Sequence, residues 1–146
     1  MYEKPQLGTG QVQTAMQAML DTATRTPHRP VAIAIVDDMA RLLSYARMDN
    51  CRPIPQRMAI KKAYTSASYG RDSLVWAQGI DRAKPTGTGL PGGVVDYGDP
   101  DLVAVQGGVV ILRPADGAVL GAIGVSGLTA QQDEDLARLG LEALGL

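Results

Sequence analysis

Six charged side chains between residues 47 and 62 have the chemistry to bind an acidic ligand or to move a proton. Arg57 and Lys61 are four residues apart and share one face of a helix, whereas Lys62 lies about 100° round that helix. A lysine can bind a carboxylate or a phosphate. When it is desolvated it also serves as a base or forms a Schiff base, because burial disfavours its charged form. The six are Arg47, Asp49, Arg52, Arg57, Lys61 and Lys62.

Two interpretations of these residues are open. In the first, Lys62 is a catalytic group that acts with Asp37 or Asp49. In the second, Lys62 forms a structural ion pair with one of these aspartates, while Arg57 and Lys61 stay in water. We favour the structural ion pair.

His28 is the single histidine of the chain, so every function that needs an imidazole depends on it. Histidine commonly holds haem iron, and an imidazole beside a small apolar pocket would supply one axial ligand. The alternative, which we favour, is a solvated loop histidine between Pro27 and Pro30. No Cys-x-x-Cys-His is present, so covalent attachment of a c-type haem is excluded.

A glycine- and proline-rich segment, residues 83–101, is predicted to be a loop. A loop of this length in a small domain is usually a binding loop, a lid or a subunit contact. Its Gly92 and Gly93 are therefore candidate ligand contacts. The segment lacks the Gly-Lys-Ser/Thr of a P-loop and does not fit Gly-x-Gly-x-x-Gly, so nucleotide binding is not supported.

Four other residues could carry chemistry but have simpler roles. Ser126 lacks the second glycine of a nucleophile elbow. Asp133 and Glu134 could form a carboxylate pair or bind a metal with Asp37, yet acids at a helix start are usually capping and dipole partners. Cys51 has no placed base and is expected to be an ordinary thiol.

The elements that must position these residues alternate between helices and strands. Apolar residues at three- and four-residue spacing indicate helices, and short apolar β-rich runs indicate strands. Pro55 suits a first helical turn, Gly70 a position just after a helix, and Ser73 a helix cap. The predicted helices cover residues 10–24, 55–69, 73–78 and a last segment that starts near Thr129, and the predicted strands cover residues 31–37, 42–48, 102–105, 108–112 and 119–125.

The most defined of these segments is the passage from the last strand to the last helix. Gly121 and Gly124 interrupt the apolar strand, which indicates the close approach of another backbone or a ligand. Thr129 is a predicted N-cap, with Gln132 as its capping-box partner. A strand end that leads into a helix N-terminus is typical of a binding fold.

Composition limits the classes of function. The chain has 146 residues with 14 basic and 15 acidic side chains, so a single domain over residues 1–146 is expected, and no net field favours nucleic acid or an anionic membrane. The single cysteine cannot form an internal disulfide, and no apolar stretch approaches the length of a membrane span. Without a signal-peptide pattern, we expect a cytoplasmic protein.

Four strings in order carry a family resemblance. Val-Ala-Ile-Ala-Ile-Val-Asp at 31–37, Ala-Arg-Met-Asp at 46–49, Lys-Lys-Ala-Tyr-Thr-Ser-Ala at 61–67 and Gly-Ala-Ile-Gly-Val-Ser-Gly at 121–127 resemble the GlcG/HbpS family, which is similar to the PduO C-terminal domain. The resemblance covers nearly the whole chain. It implies an α+β, profilin-like fold with an antiparallel five-stranded sheet flanked by helices, assembled as a homo-oligomer.

The resemblance also implies roles and shows departures. Some members bind haem, one relative has a histidine near the position of His28, and Lys62 matches the family's inward lysine. The family's Asp-x-Gly-Gly turn is here Asp-Asp-Met-Ala at 37–40, so the hairpin is predicted to turn without a left-handed residue.

Two functions follow as expectations. The first is an accessory protein that binds haem or another small molecule between the lysine-bearing helix, the glycine-rich loop and the last strand, with His28, Arg47, Gly92 and Gly93 as contacts. The second is a cofactor-independent catabolic isomerase, lyase or hydrolase, in which Lys62 or a carboxylate moves a proton on a small carbonyl or carboxylate substrate. A purely structural oligomer is a third possibility.

Overall fold

The computed structural model describes residues 1–25, 29–82 and 98–146, with residues 80–82 described by their backbone only. This part of the chain forms four helices and four strands in an α+β arrangement, and none of its helices is both long and apolar enough to cross a bilayer. The elements are α1 (Thr9–Arg25), β1 (Ala32–Asp37), β2 (Leu42–Arg47), α2 (Pro53–Tyr69), α3 (Ser73–Arg82), β3 (Gly108–Leu112), β4 (Val119–Ser126) and α4 (Ala130–Ala143).

The sheet has four antiparallel strands in the order β2-β1-β4-β3. The prediction of five strands is therefore wrong for the described residues. The two predicted hairpins are confirmed, because β1 pairs with β2 and β3 pairs with β4.

Residues 102–105, predicted to be a strand, have no strand partner among the residues that the structure describes. Side chains from the helices satisfy this segment instead. The Val103 N–H donates to Thr65 Oγ1 at 2.9 Å, and Ser73 Oγ donates to the Val105 carbonyl at 2.6 Å. Since these backbone groups already have partners, the apolar residues of the segment do not need a sheet to satisfy their main chain.

The outer edge of β3 is covered in the same way. Ser73 Oγ accepts the Gly108 N–H at 2.9 Å, and Asp72 Oδ1 accepts the Val110 N–H at 3.0 Å. Ser73 thus joins α3 to the sheet rather than acting as the predicted helix cap. Partnered N–H groups make this edge a poor template for another strand.

The two faces of the sheet bury different residues. On β1, Ile33 and Ile35 point to the face on which α1 and α4 pack, whereas Ala32 and Ala34 point to the face covered by α2. The alternation is the period of two expected of a strand buried on both faces. One face is thus large and aliphatic, and the other is made of small residues.

The small-residue face brings α2 very close to the sheet. A Cβ added to Gly124 would collide with the carbonyl oxygen of Ala59 and the backbone nitrogen of Ala63. Ala59, Ala63 and Ala67 all lie in this interface and are buried. The close backbone approach predicted for Gly124 is confirmed.

The turn between β1 and β2 keeps a left-handed residue without a glycine. Ala40 has φ 59°, so the prediction of a turn without a left-handed residue is wrong. Asp37 Oδ1 accepts the N–H groups of Met39 and Arg41, both at 2.9 Å. These side-chain bonds hold the turn in a conformation that alanine disfavours.

The predicted helix ends are confirmed at two places. Thr129 and Gln132 form a complete capping box at the start of α4. Gly70, at φ 71°, ends α2 in the left-handed region, and its N–H donates to the Ser66 carbonyl.

Candidate functional site

A buried ion pair joins the two helical layers of the fold. Lys62 projects from the middle of α2, and its Nζ lies 2.9 Å from Asp133 Oδ2 and 2.9 Å from the Val125 carbonyl oxygen. The side chains are only 3% and 4% exposed. Gly107 makes room for them, because a Cβ at that residue would lie 2.8 Å from Nζ. The lysine therefore reaches past the sheet from the α2 side to α4.

The same pair fixes the chain between β4 and α4. Asp133 Oδ1 accepts the Leu128 N–H at 2.9 Å, while Lys62 holds the carbonyl of Val125. The predicted structural ion pair of Lys62 is confirmed, but its partner is Asp133 rather than Asp37 or Asp49.

Neither of the predicted partners of Lys62 lies in this pair. Asp37 binds the β1–β2 turn, and its Oδ2 accepts from Arg41 Nε at 2.9 Å. Burial raises the pKa of Asp37, but hydrogen bonds from Arg41 and Met39 outweigh it and leave the pKa below its usual value. Asp49 is exposed two residues beyond β2. The structure does not bring Lys62, Asp37 and Asp49 together. Catalysis by these residues stays a prediction.

The partner of Lys62 carried a signal in the sequence that the capping interpretation missed. Asp133 is three, four and seven residues before Leu136, Ala137 and Gly140, which are all buried on α4. That spacing places the carboxylate on the inward face of the helix. An acidic side chain on the buried face of an amphipathic helix requires a partner. Lys62, the lysine that the family resemblance places inward, could have been predicted as the partner of Asp133.

A second polar chain runs beside the ion pair. Glu134, also buried, accepts from Gln106 Nε2 at 2.6 Å and from Arg138 at 3.1 Å. Arg138 in turn binds Asp72 at 2.6 Å. Asp133 and Glu134 thus serve two separate networks, and residues 1–25, 29–82 and 98–146 hold no cluster of three acidic, histidine or cysteine side chains that could bind a metal.

Cys51 behaves as the sequence predicts for an ordinary thiol. Its side chain is buried and Sγ contacts the Arg52 carbonyl at 3.7 Å. Burial raises the pKa of Cys51, and the nearby charge of Arg47 offsets only part of that rise. The thiolate form needed for nucleophilic attack is therefore disfavoured.

A cavity of about 430 Å³ opens between the start of β1, the start of α2 and the residue after β4. Its size lies in the usual range of small-molecule sites. Of the residues that the structure describes, two arginines and no acidic residue line it. The lining residues are Arg29, Pro30, Asn50, Arg52, Pro55 and Gly127.

This cavity, which we call the arginine cavity, agrees in part with the predicted ligand site. Pro55 belongs to the lysine-bearing helix and Gly127 follows the last strand, as expected. Lys62 and Arg47 are not among its lining residues.

Three predicted contacts lie outside the described residues. These are His28, Gly92 and Gly93. The cations in the described lining are Arg52, which was part of the charged cluster but not a predicted contact, and Arg29, for which no role was predicted.

A second, smaller cavity of about 260 Å³ lies between the end of α1 and the first half of α4. Its walls are mainly aliphatic, with Ala23, Leu128, Leu136 and Leu139 among them. Leu128 follows Gly127 directly, so the chain held by the Lys62–Asp133 pair contributes to both cavities.

Comparison of the sequence with known families gives one match over nearly the full length. A family described as haem degrading protein HbpS-like matches residues 7–142. Protein GlcG of Escherichia coli strain K12 is 33% identical over 96 residues. Those residues cover 66% of this chain and 63% of GlcG, so the match spans less than two thirds of that relative's length.

Solved structures share the fold. Klebsiella pneumoniae protein ORFY superposes with a TM-score of 0.82 at 23% identity, covering 99% of this chain and 94% of that one. A double mutant of Streptomyces reticuli HbpS gives 0.83 at 24% identity, with coverage of 100% and 92%. A PduOC:haem complex gives 0.78 at 23% identity, with coverage of 95% for both chains. At these identities the likeness concerns the fold alone.

Proposed function

The chain belongs to the HbpS-like family, and from this premise we propose that it binds haem or a related small molecule in the arginine cavity. Two facts about relatives support the proposal: the family is described as haem degrading, and PduOC forms a haem complex. The observation on this chain that carries it is the position of the cavity, whose wall includes Arg29, the residue after the single histidine.

The charge and the apolar surface of the described walls suit such a ligand. Pro30 and Pro55 offer apolar surface, while Arg29 and Arg52 offer positive charge for acidic groups at a ligand's edge. We propose that His28 would hold the haem iron, since imidazole is a usual protein ligand of that metal. Bound haem would supply a redox-active iron centre, and the residues of this chain would hold and orient it.

The test is a titration of purified protein with haem, followed through the Soret absorbance. Wild type, His28→Ala and Arg57→Gln are compared, because Arg57 is exposed and does not line the cavity. We expect saturable one-to-one binding by wild type and Arg57→Gln, with a large loss in His28→Ala. A His28→Met variant, which retains an iron ligand, should recover part of the affinity. Absence of binding by wild type would reject the haem proposal.

We also propose a homo-oligomeric assembly in the cytoplasm. The family resemblance supports the assembly, and the single cysteine, buried and unpaired, is compatible with a reducing compartment. Light scattering on purified protein tests the first statement, since a monomer mass would reject it.

The predicted cofactor-independent enzyme remains the alternative. Neither cavity described above includes Lys62 in its lining, and its charge is already paired with Asp133. Loss of turnover in a Lys62→Ala variant that remains folded would favour the enzyme.

A further inference from the structure

The walls of the arginine cavity carry two positive charges that no described residue compensates. No ion pair joins Arg29 or Arg52 to another residue within the described ranges, and both side chains are exposed. The third polar side chain of the lining is the amide of Asn50, which is neutral. The described lining is thus a concave surface with an unbalanced charge of about +2, which attracts anionic groups.

Backbone donors contribute little to this site. Pro53 and Pro55 occupy the first turn of α2 and have no N–H, and the Gln56 N–H donates to the Arg52 carbonyl at 3.4 Å. Most of the free N–H groups that a helix N-terminus normally offers are therefore missing. Among the described lining residues, the two guanidinium groups are therefore the main candidates for recognising an anion.

The backbone that carries the arginines is closely fixed. Gly127 has φ 135°, and a Cβ there would collide with the carbonyl oxygen of Pro30. The chain bearing Arg29 thus lies directly on the residue after β4. On the other side, Asn50 holds a left-handed φ of 62° two residues before Arg52. Strained residues of this kind are concentrated at binding sites, where the surrounding fold enforces them.

From these contacts we infer that the arginine cavity recognises two carboxylates of one ligand, with one guanidinium for each. The inference rests on the proposed function only in placing the ligand in this cavity. Arginine binds a carboxylate through two parallel N–H···O bonds, so two arginines select a diacid over a monoacid of the same size. For haem, the paired groups would be its two propionates.

The first experiment uses simple diacids as probes. The linear dicarboxylates from malonate to pimelate are titrated calorimetrically into wild type, Arg29→Gln, Arg52→Gln and the control Arg57→Gln. We expect one chain length to bind best, each cavity variant to weaken it about tenfold or more, and the control to match wild type. The neutral diamide of the best diacid should bind at least tenfold more weakly. Equal binding of diacid and diamide, or cavity variants that match the control, would overturn the inference.

The second experiment separates this inference from the haem proposal. Haem and haem dimethyl ester, whose two carboxylates are masked, are titrated into the same four proteins. Weaker binding of the ester, and of haem to both cavity variants, supports the inference. Equal binding of haem and ester to wild type would overturn the inference and leave the haem proposal standing. If the wild type binds a dicarboxylate through the arginines but does not bind haem, the haem proposal is rejected and the inference stands.

Discussion

At the scale of single residues, the Lys62–Asp133 pair shows how much one buried contact determines. Two charges removed from water cost several kcal/mol each unless their hydrogen-bonding groups are satisfied. Here the Val125 carbonyl and the Leu128 N–H provide further partners. The pair thereby orders the chain that lines both cavities, which gives Lys62 a role in shaping the site without contact with a ligand.

Removal of one member of the pair should be strongly destabilising. We expect Lys62→Met to lower the free energy of unfolding by about 3–5 kcal/mol, because Asp133 is left as a buried, unpaired charge. Lys61→Met is the matched control, since Lys61 Nζ donates to the Pro100 carbonyl at the surface and the loss of this bond should cost less than about 1 kcal/mol. Urea unfolding measures both.

A double variant tests the mechanism of that loss. Lys62→Met/Asp133→Asn should lose less free energy of unfolding than the two single variants lose together, because no unpaired charge is left buried. Equal costs for Lys62→Met and Lys61→Met would contradict the role assigned to the pair.

The Asp37 carboxylate should make stability depend on pH. Its pKa is lowered in the folded protein, so its contribution is present above the unfolded value of about 3.9 and is lost as the pH falls through the folded value. We expect Asp37→Asn to be about 1–2 kcal/mol less stable at pH 7, with a smaller difference from wild type at pH 3. Unfolding curves at both pH values measure this.

The comparison needs a control for net charge. Asp21→Asn removes one exposed negative charge from α1. A gap between wild type and Asp37→Asn that widens on acidification would contradict the predicted direction.

Site residues were predictable from the sequence where the signal was local. The Thr129–Gln132 capping box needs only a spacing of three, and the structure confirms it. The partner of Lys62 lies 71 residues away, and the pairing depends on how two helices meet past the end of a sheet. Arg29 and Arg52 were also not predictable as a pair, because they are 23 residues apart and line one cavity only through the tertiary fold.

At the scale of elements, the contact of α2 with the sheet depends on small residues. Ala59 and Ala63 on the helix face Gly124 on β4, so the two backbones lie closer than larger side chains would permit. Interiors packed at this density tolerate added volume poorly. The helix that carries Lys62 and begins at the arginine cavity is therefore held at a fixed height above the sheet.

One added methyl group should disturb this contact. We expect Gly124→Ala to lower the free energy of unfolding by about 1–3 kcal/mol, because the methyl meets backbone atoms that cannot rotate away. Gly10→Ala in α1 is the control, since no described atom lies within 4 Å of the added Cβ there. Thermal or urea unfolding measures both variants. A Gly124→Ala variant with the same free energy of unfolding as wild type would show that α2 can shift without cost.

The elements themselves were largely predictable, and the exceptions have physical reasons. Periodic apolar patterns located all four helices and the four observed strands. The strand prediction for residues 102–105 was wrong, and there the side chains of Thr65 and Ser73 bond the Val103 N–H and the Val105 carbonyl. The prediction of a β1–β2 turn without a left-handed residue was wrong. Ala40 adopts that conformation because the Asp37 side chain accepts hydrogen bonds from the turn.

At the scale of the whole molecule, the sheet carries helices on both faces, and the buried pair ties the two layers together. We expect them to unfold in one transition. Trp76 is the only tryptophan, it is 8% exposed, and its ring centroid lies 4.5 Å from that of Tyr69, so its fluorescence reports on the α2–α3 side. Urea curves from this fluorescence and from far-ultraviolet circular dichroism should coincide. Separate midpoints would show that the layers unfold independently.

The antiparallel packing of α1 and α4 has a practical consequence for protein engineering. Gln11 Nε2 donates to the Leu144 carbonyl at 3.3 Å, whereas Ala23 and Leu136 meet at the other end of the same helix pair. With 17 residues, α1 is about 25 Å long. A tag or fluorescent fusion attached on the N-terminal side of residue 9 or on the C-terminal side of residue 144 would project from the end of the helix pair opposite its cavity. Immobilisation on a sensor surface through such a tag should leave the cavity at the other end of the pair accessible.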